Sequence, residues 1–303
     1  MKIKVQRKEL ADVMAIVASV VNPRHTNPMV QNVMLDASAA SLVLRATDLE
    51  ISIQYTLTEA SISKPGKSLL PAARLGGLLK DMSSETVELE LKDDVVVLSA
   101  ERDRITLQTA DAESFPSFPN FEDKDALNIK ASELEQGFSW TGKSISPERG
   151  RYAFNGVLLT PGKSGTEFCG TDGRRLSFWR MSGGSKEYSF PIIIPRRGID
   201  LFSRMAARNP DVDVSLDIRE NEVIARFGEA IASSALVDGQ FPDYWSVVPR
   251  HNDKKFVVRR SELISALKLV GHVTSVESQA VALEIATNEL ILKTRSPGMG
   301  SAE

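Results

Sequence analysis

Three carboxylates in two similar contexts are the first candidates for chemistry in this sequence. Asp48 and Glu50 lie in ATDLE at residues 46–50, and Asp172 lies in GTDGRRL at residues 170–176. Paired carboxylates can serve as general acid and base, so they could indicate an enzyme. However, the two Thr-Asp pairs stand 124 positions apart in matching neighbourhoods. Their recurrence favours a structural turn or cap, because Thr and Asp side chains readily bond to nearby backbone groups.

The other reactive residue types give no catalytic or metal-binding pattern. His25, His251 and His272 lack the spacing of metal ligands, and Cys169, in FCGT, is predicted to be a buried strand thiol. The sequence contains no glycine-rich phosphate loop, nucleophile elbow or recognition-helix motif. We therefore predict a non-catalytic protein without metal or cofactor. Measurable turnover by the protein alone would instead favour an enzyme.

Matching sequence anchors recur along the chain in the same order. Glu9-Leu10 recurs as Glu133-Leu134 after 124 residues, and Pro71 recurs as Pro195 after the same interval. A third copy begins near Glu262-Leu263, 129 residues after the second. Several anchors at nearly one spacing indicate a tandem repeat of one domain.

Composition limits the class of protein. The chain has 303 residues, 42% of them hydrophobic, one cysteine and a formal net charge of −3. A single cysteine fits a reducing compartment, and neither a signal peptide nor an apolar run of about 18 residues is evident, so we predict a cytoplasmic protein. The negative charge argues against a simple nucleic-acid binder. Any basic surface must therefore be local.

The predicted fold class is α+β. Each repeat opens with a strand and an amphipathic helix, continues with strands, and then has a second helix after Pro71 or Pro195. Two helices packed on antiparallel sheet are expected per repeat, with Ser132 and Ser261 as helix N-caps. The predicted domains are residues 1–122, 126–250 and 254–303, the last one incomplete.

The second helix of the second repeat carries a row of arginines. Ile199, Phe202, Met205 and Ala206 fall on one side, and Arg197, Arg204 and Arg208 fall on the other. A solvated helix surface would explain one such helix. Arg74 and Lys80 on the equivalent helix of the first repeat favour a polyanionic partner instead.

Together these motifs resemble a known family. They are ATDLE at 46–50, Arg151-Tyr152 before Asn155-Gly156, TDGRRL at 171–176, IPRR at 194–197 and LVDGQFPDY at 236–244. From Met1 to about Leu292 the sequence resembles the bacterial DNA polymerase III beta subunit, the replicative sliding clamp. The resemblance implies a head-to-tail homodimer that closes as a ring around duplex DNA. Such a ring is not itself catalytic and tethers the polymerase, a nucleotidyltransferase.

The resemblance also implies which residues face DNA. Long basic side chains would hold phosphates without reading bases, so binding would be independent of DNA sequence. Together with the arginine row, the DNA-facing set is Arg24, Arg74, Arg149, Arg151, Tyr152, Arg196, Arg197, Arg204 and Arg208.

A partner groove between repeats two and three is the second implied site. It would accept short peptides from the polymerase III alpha subunit, the clamp loader and other clamp-binding proteins through apolar anchors. The matching positions are Phe154, Thr171, Gly173, Arg174, Arg175, Leu176, Pro242 and Val247. Arg174, Ser246 and Ala153 depart from the residues frequent in the family, namely histidine, arginine and tyrosine.

The third repeat is shorter than its sisters by roughly 75 residues. The ring contacts implied by the resemblance are Arg102, Arg104, Ile105, Leu107, His272 and Val273. We predict that the polypeptide as written does not close a stable ring. A protein-interaction scaffold derived from a clamp is therefore the alternative function.

Overall fold

The computed structural model describes residues 1–124, 126–147, 152–162, 165–181, 190–275, 280–296 and 300–303. The chain divides into two compact units, Met1–Pro242 and Asp243–Glu303. The first unit contains both complete repeats.

Five α-helices occur in the described part of the chain, two in each complete repeat and one in the second unit. They are α1 (Arg7–Val17), α2 (Ala72–Asp81), α3 (Ala131–Thr141), α4 (Arg196–Arg208) and α5 (Arg260–Gly271). In α4 the predicted apolar stripe is buried, with Ile199, Phe202, Met205 and Ala206 all in the core. Three- and four-residue spacing places these side chains on one helical face.

The prediction of serine N-caps was wrong. α3 begins at Ala131 and α5 at Arg260, so Ser132 and Ser261 lie within the first turns and cap neither helix. In α3 the first backbone N–H groups are satisfied by the chain that follows α4. Ala131 N donates to Val212 O at 3.0 Å, and Ser132 N donates to Pro210 O at 3.0 Å. A side-chain cap is unnecessary where backbone carbonyls already accept these bonds.

Among the described residues, repeat one has nine strands and repeat two has eight. Repeat one contains β1 (Lys2–Gln6), β2 (Asn32–Ala37), β3 (Leu42–Thr47), β4 (Ile51–Leu57), β5 (Ser61–Lys64), β6 (Gly66–Pro71), β7 (Thr86–Lys92), β8 (Val95–Ala100) and β9 (Asp103–Gln108). Repeat two contains β10 (Leu127–Lys130), β11 (Gly156–Gly162), β12 (Gly165–Thr171), β13 (Leu176–Met181), β14 (Ile192–Pro195), β15 (Asp213–Ile218), β16 (Glu222–Phe227) and β17 (Ala230–Ala235).

One antiparallel sheet crosses the boundary between the two repeats. Its eight strands run in the order β10-β15-β16-β17-β4-β3-β2-β6, four from each repeat. The joining pair is β17 and β4, with Ala232 opposite Ile53 and Ser233 opposite Ser52. The remaining strands form a five-stranded sheet, β5-β1-β7-β8-β9, and a four-stranded sheet, β13-β12-β11-β14. Main-chain hydrogen bonds thus make the repeat boundary continuous.

The core of the first unit also runs through both repeats. One cluster of buried side chains extends from Ile3 in β1 to Ala232 in β17. In repeat two, Phe138 of α3 meets Phe168 edge-on at a centroid distance of 5.5 Å and lies 6.5 Å from Phe202 of α4. These aromatic contacts fix both helices on the sheets.

The second unit contains α5 and the strands β18 (Ala282–Ala286), β19 (Glu289–Ser296) and β20 (Gly300–Ala302) in one antiparallel sheet. Val270 and Leu292 are buried, whereas Leu269, Leu283 and Ile285 are exposed. The α+β prediction, with two helices on antiparallel sheet in each complete repeat and a shorter third region, is confirmed.

Candidate functional site

The first Thr-Asp pair forms a hydrogen-bonded turn between β3 and β4. Thr47 Oγ1 donates to Ile51 O at 3.0 Å and accepts from Leu49 N at 3.0 Å. Asp48 Oδ1 accepts from Glu50 N at 3.1 Å and from Ile51 N at 2.9 Å. The interpretation of this pair as a structural turn is confirmed, because both side chains bond to the backbone of the turn.

The second Thr-Asp pair repeats this geometry between β12 and β13. Thr171 Oγ1 donates to Arg175 O at 2.7 Å and accepts from Gly173 N at 3.1 Å. Asp172 Oδ1 accepts from Arg174 N at 2.9 Å and from Arg175 N at 3.0 Å. These two N–H donors, followed by the Arg175 guanidinium, lower the pKa of Asp172. The carboxylate is therefore held ionised in a structural role.

Arg197 connects the two repeats. Its guanidinium pairs with the carboxylate of Asp48, whose side chain is only 1% exposed, and lies 3.5 Å from Glu50 Oε2. It also donates to Val20 O, just beyond α1, at 3.4 Å. Arg197, which was predicted to face outward from α4, is thus paired with carboxylates at the repeat boundary. Its side chain nevertheless remains 42% exposed.

Gly198 allows this close approach. A Cβ at this position would lie 2.3 Å from Ser234 Oγ, so only glycine lets the first turn of α4 rest against β17. Because β17 is paired with β4, this packing brings Arg197 to the turn that precedes β4. The helices α1 and α4 consequently pack on the same face of the eight-stranded sheet.

The other predicted DNA-facing residues differ in their surroundings. Arg196 donates to Gly142 O, at the end of α3, at 3.0 Å. Arg204 and Arg208 on α4, Arg74 on α2 and Arg24 beyond α1 are exposed. Within the described residues, neither Arg204 nor Arg208 forms an ion pair. Arg149, Arg151 and the side chain of Tyr152 lie outside the described part of the chain.

Of the predicted partner-groove residues in the first unit, Thr171, Gly173, Arg174 and Arg175 form the second turn, and Leu176 begins β13. Gly173, Arg174, Arg175 and Pro242 are exposed, whereas Phe154 and Leu176 are half-buried. Gly173 has a φ of 84°, a conformation that glycine adopts without strain. Thr171 is buried, and its hydroxyl is used inside the turn. Val247, 69% exposed, belongs to the second unit.

The predicted ring contacts of repeat one lie in β9, the last strand of the five-stranded sheet, except Arg102, which just precedes it. Arg102 and Arg104 are exposed, and Ile105 is half-buried. Leu107 is 7% exposed and packs in the core. In the second unit, His272 is exposed and Val273 half-buried after α5.

The described residues contain no group of three or more His, Cys, Asp or Glu side chains that could hold a metal ion. Burial raises the pKa of the Cys169 thiol in β12 to about 12, as expected for a strand thiol inside the core. Among the described helices, none is long and apolar enough to cross a membrane.

Sequence reasoning missed two sets of residues. One is the bridge from Arg197 to Asp48, since nothing in either local sequence marks the other as its partner. The second is a set of contacts that hold the linker between the repeats. Arg219 donates to Asn120 O, and the Arg226 guanidinium lies 4.0 Å from the centroid of Phe121.

Two tandem α+β repeats joined through one sheet, with a shorter third region, define a protein of the DNA-clamp class. Comparison with known proteins agrees. The family described as DNA polymerase III beta subunit, N-terminal domain, matches residues 1–119, and its central domain matches residues 128–243. The chain therefore belongs to the DNA polymerase III beta subunit family, the bacterial sliding clamps.

Individual relatives give the same assignment. The beta sliding clamp of Pseudomonas putida is 29% identical over 305 residues, which cover 100% of this chain and 83% of the relative. That of Escherichia coli K12 is 26% identical, with 100% and 83% covered. The structure of the Pseudomonas aeruginosa clamp bound to griselimycin matches with a TM-score of 0.94 at 28% identity, covering 100% of this chain and 82% of that one.

Proposed function

We propose that this chain is the sliding-clamp subunit that tethers the replicative DNA polymerase to duplex DNA and has no catalytic activity of its own. The observation that carries the proposal is the family's fold in both complete repeats, with helices of the two repeats on one face of a shared sheet. Exposed arginines on α4 give that face a basic character within an acidic protein. Clamps of this kind act in the cytoplasm, where we place this protein.

The proposed DNA contacts are electrostatic. B-DNA carries about one negative charge per 1.7 Å of helix axis, so flexible arginines can track phosphates as the protein moves along the duplex. We assign this role to Arg24, Arg74, Arg149, Arg151, Tyr152, Arg196, Arg197, Arg204 and Arg208. Arg204 and Arg208 are the best reporters, because changing Arg197 would also remove the ion pair to Asp48.

A salt titration tests the DNA surface. Replacing Arg204 by Glu should weaken binding to a fluorescent 30-base-pair duplex and reduce the slope of log K against log salt by about 1. Lys124→Glu makes the same charge change in the exposed linker and should leave the slope unchanged. Equal slopes for parent and Arg204→Glu would contradict the assignment of α4 to the DNA surface.

Topological binding is a separate test of the clamp function. Retention on nicked circular DNA in the presence of a clamp loader, lost once the circle is cut, would show that the chain acts as a clamp that encircles DNA. Retention that is insensitive to linearisation would favour a scaffold that binds without encircling DNA.

The proposed partner surface lies around the second Thr-Asp turn. Leu176 supplies an apolar anchor, and the exposed Arg174 and Arg175 favour peptides with acidic side chains beside apolar ones. We propose that such peptides belong to the polymerase III alpha subunit, the clamp loader and other clamp-binding proteins. Phe154, Thr171, Gly173, Pro242 and Val247 complete the proposed set.

Leu176→Asp should abolish binding of a fluorescent peptide taken from the alpha subunit, with little change in affinity for duplex DNA. Leu49→Asp introduces the same charge beside the first Thr-Asp turn and serves as the matched control. A titration of Leu176→Asp that overlays the parent would refute the assignment.

The internal repeat boundary supports a dimer contact at β9. Within the chain, β17 of repeat two pairs with β4 of repeat one. β9 is the counterpart of β17 and lies at the edge of its sheet, so we propose that it pairs with a second copy. Arg104 and Ile105 lie in β9 and Arg102 just before it, and His272 and Val273 would belong to the opposite copy. Arg104→Glu should lower the dimer fraction in light scattering, and an unchanged mass would contradict this contact.

A further inference from the structure

A depression of about 630 Å³ lies over the strand pair that joins the two repeats. Its floor contains Ser52 of β4 and Ser233 of β17, which stand directly opposite each other in the sheet. One wall is the first Thr-Asp turn, and the others are the linker at residues 116–119 and the β15–β16 turn at residues 219–222. Pockets of about 300–1,000 Å³ are typical of ligand sites in proteins.

The rim of this depression carries an exposed leucine in a strained conformation. Leu49 has a φ of 75°, and its side chain is largely exposed at 58%. The left-handed conformation costs roughly 1 kcal/mol or more for a residue other than glycine. Gly173 occupies the same position in the second turn, so the fold does not require a large side chain there. Strain of this kind at an exposed apolar residue indicates a functional surface.

The depression is acidic. Glu50, Glu220 and Glu222 line it together with a single basic residue, Arg219. The Arg219 guanidinium already forms two ion pairs, since it lies 2.7 Å from Asp217 Oδ2 and 3.1 Å from Glu222 Oε1. Glu222 is thus paired, and Glu50 lies 3.5 Å from the Arg197 guanidinium. Among the described residues Glu220 has no ion pair, so an occupant meets its negative charge beside the apolar surface of Leu49, Pro116 and Phe118. Phosphate groups would be repelled by this site, which argues against nucleic acid.

The segment that directly follows the linker wall is held in place before any ligand arrives. Glu122 N donates to Asp217 Oδ2 at 3.1 Å, and Arg226 pairs with Asp123 at 3.0 Å while covering Phe121. A preformed wall reduces the conformational entropy that a bound peptide would otherwise have to offset.

We propose that this depression is a second docking site, which takes a short segment of a partner protein with an apolar side chain next to lysine or arginine. The charge of the site is the opposite of that around the second turn, where Arg174 stands at the position of Glu50. The inference goes beyond the clamp function and uses none of the residues assigned to DNA or to the first partner surface.

Selection from a displayed library of random dodecapeptides on the full chain tests the proposal. Peptides retained by the parent but lost with Leu49→Asp should combine an apolar residue with Lys or Arg. Asp tolerates the left-handed conformation better than Leu, so this variant should fold, and its circular dichroism spectrum serves as the check. A synthetic fluorescein-labelled copy of a selected peptide should bind at least about tenfold more weakly to Glu220→Lys, because the variant reverses a charge of the site.

Leu176→Asp is the matched control and should bind the selected peptide as the parent does. The proposal is overturned if no peptide depends on Leu49. It is also overturned if the Leu49-dependent peptides lack basic residues or bind equally to Glu220→Lys, or if their binding requires Leu176.

Discussion

The two Thr-Asp turns have the same backbone design and different surroundings. In both, the threonine hydroxyl bonds across the turn and the aspartate accepts two consecutive N–H groups. Asp48 is buried and is paired with Arg197 from the other repeat. Asp172 is 19% exposed and lies 3.0 Å from Nε of Arg175 in its own turn.

This difference shows how one motif can serve two purposes in a repeated fold. At the boundary of repeats one and two, the turn is a structural part of the contact between them, and Arg197 closes it. In repeat two, the same turn leaves Arg174 and Arg175 exposed for the proposed partner surface. The local sequence builds the turn in both cases, and the neighbouring repeat decides what the turn does.

The comparison is tested most strongly by removing each aspartate. Asp48→Ala takes away two acceptors and leaves Arg197 without its buried partner, so the free energy of unfolding should fall by about 3 kcal/mol. Asp172→Ala should cost about 1 kcal/mol, as expected for the loss of a capping side chain without a buried ion pair. Urea titrations followed by circular dichroism measure both values. Equal losses would show that the Arg197 contact adds nothing.

Replacing Arg197 by Met tests the bridge from its other end. The buried Asp48 carboxylate would lose its charged partner, and we expect a loss of about 2 kcal/mol, reduced by the partial exposure of the pair. Arg196→Met, which loses only the bond to Gly142 O, is the control and should cost about 1 kcal/mol. A smaller effect at Arg197 than at Arg196 would contradict the proposed bridge.

The third residue of each turn gives a smaller effect. Gly173→Ala places a Cβ in the left-handed region and should destabilise the protein by about 1 kcal/mol. Leu49→Gly removes strain but adds chain entropy to the unfolded state, so its effect should stay within about 0.5 kcal/mol. Chemical unfolding of both variants checks the pair. A large loss in Leu49→Gly would mean that this leucine serves stability rather than binding.

The smallest effect is expected from the charge of Asp172. Its backbone donors and Arg175 lower its pKa, so the contribution to stability is present above the unfolded pKa of about 3.9 and is lost as pH falls through the lower folded value. Asp172→Asn keeps the acceptor oxygen and removes the charge. Thermal unfolding should therefore separate parent and variant at pH 6 and bring them together at the acid end. A difference independent of pH would exclude the charge as its cause.

Much of the fold followed from sequence because the chain repeats itself. The offset of 124 residues gave the order of the strands and helices, and the apolar spacing in α4 gave its buried face. Periodicity also placed Arg204 and Arg208 on the exposed face. The helix starts were less accurate, since α3 takes its first hydrogen bonds from Val212 and Pro210 rather than from Ser132.

By itself, the sequence determined that one α+β unit is repeated, that each Thr-Asp pair makes a turn, and that basic residues gather on α4. These properties depend on near neighbours and on helical or strand periodicity, which the chain carries locally. Only the tertiary structure decided that β17 pairs with β4, that Arg197 reaches Asp48, and that Leu49 lies at the edge of an acidic depression. The first two contacts join residues more than a hundred positions apart, and the depression is lined by segments from both repeats and the linker. They exist because the two repeats build one continuous sheet and one core.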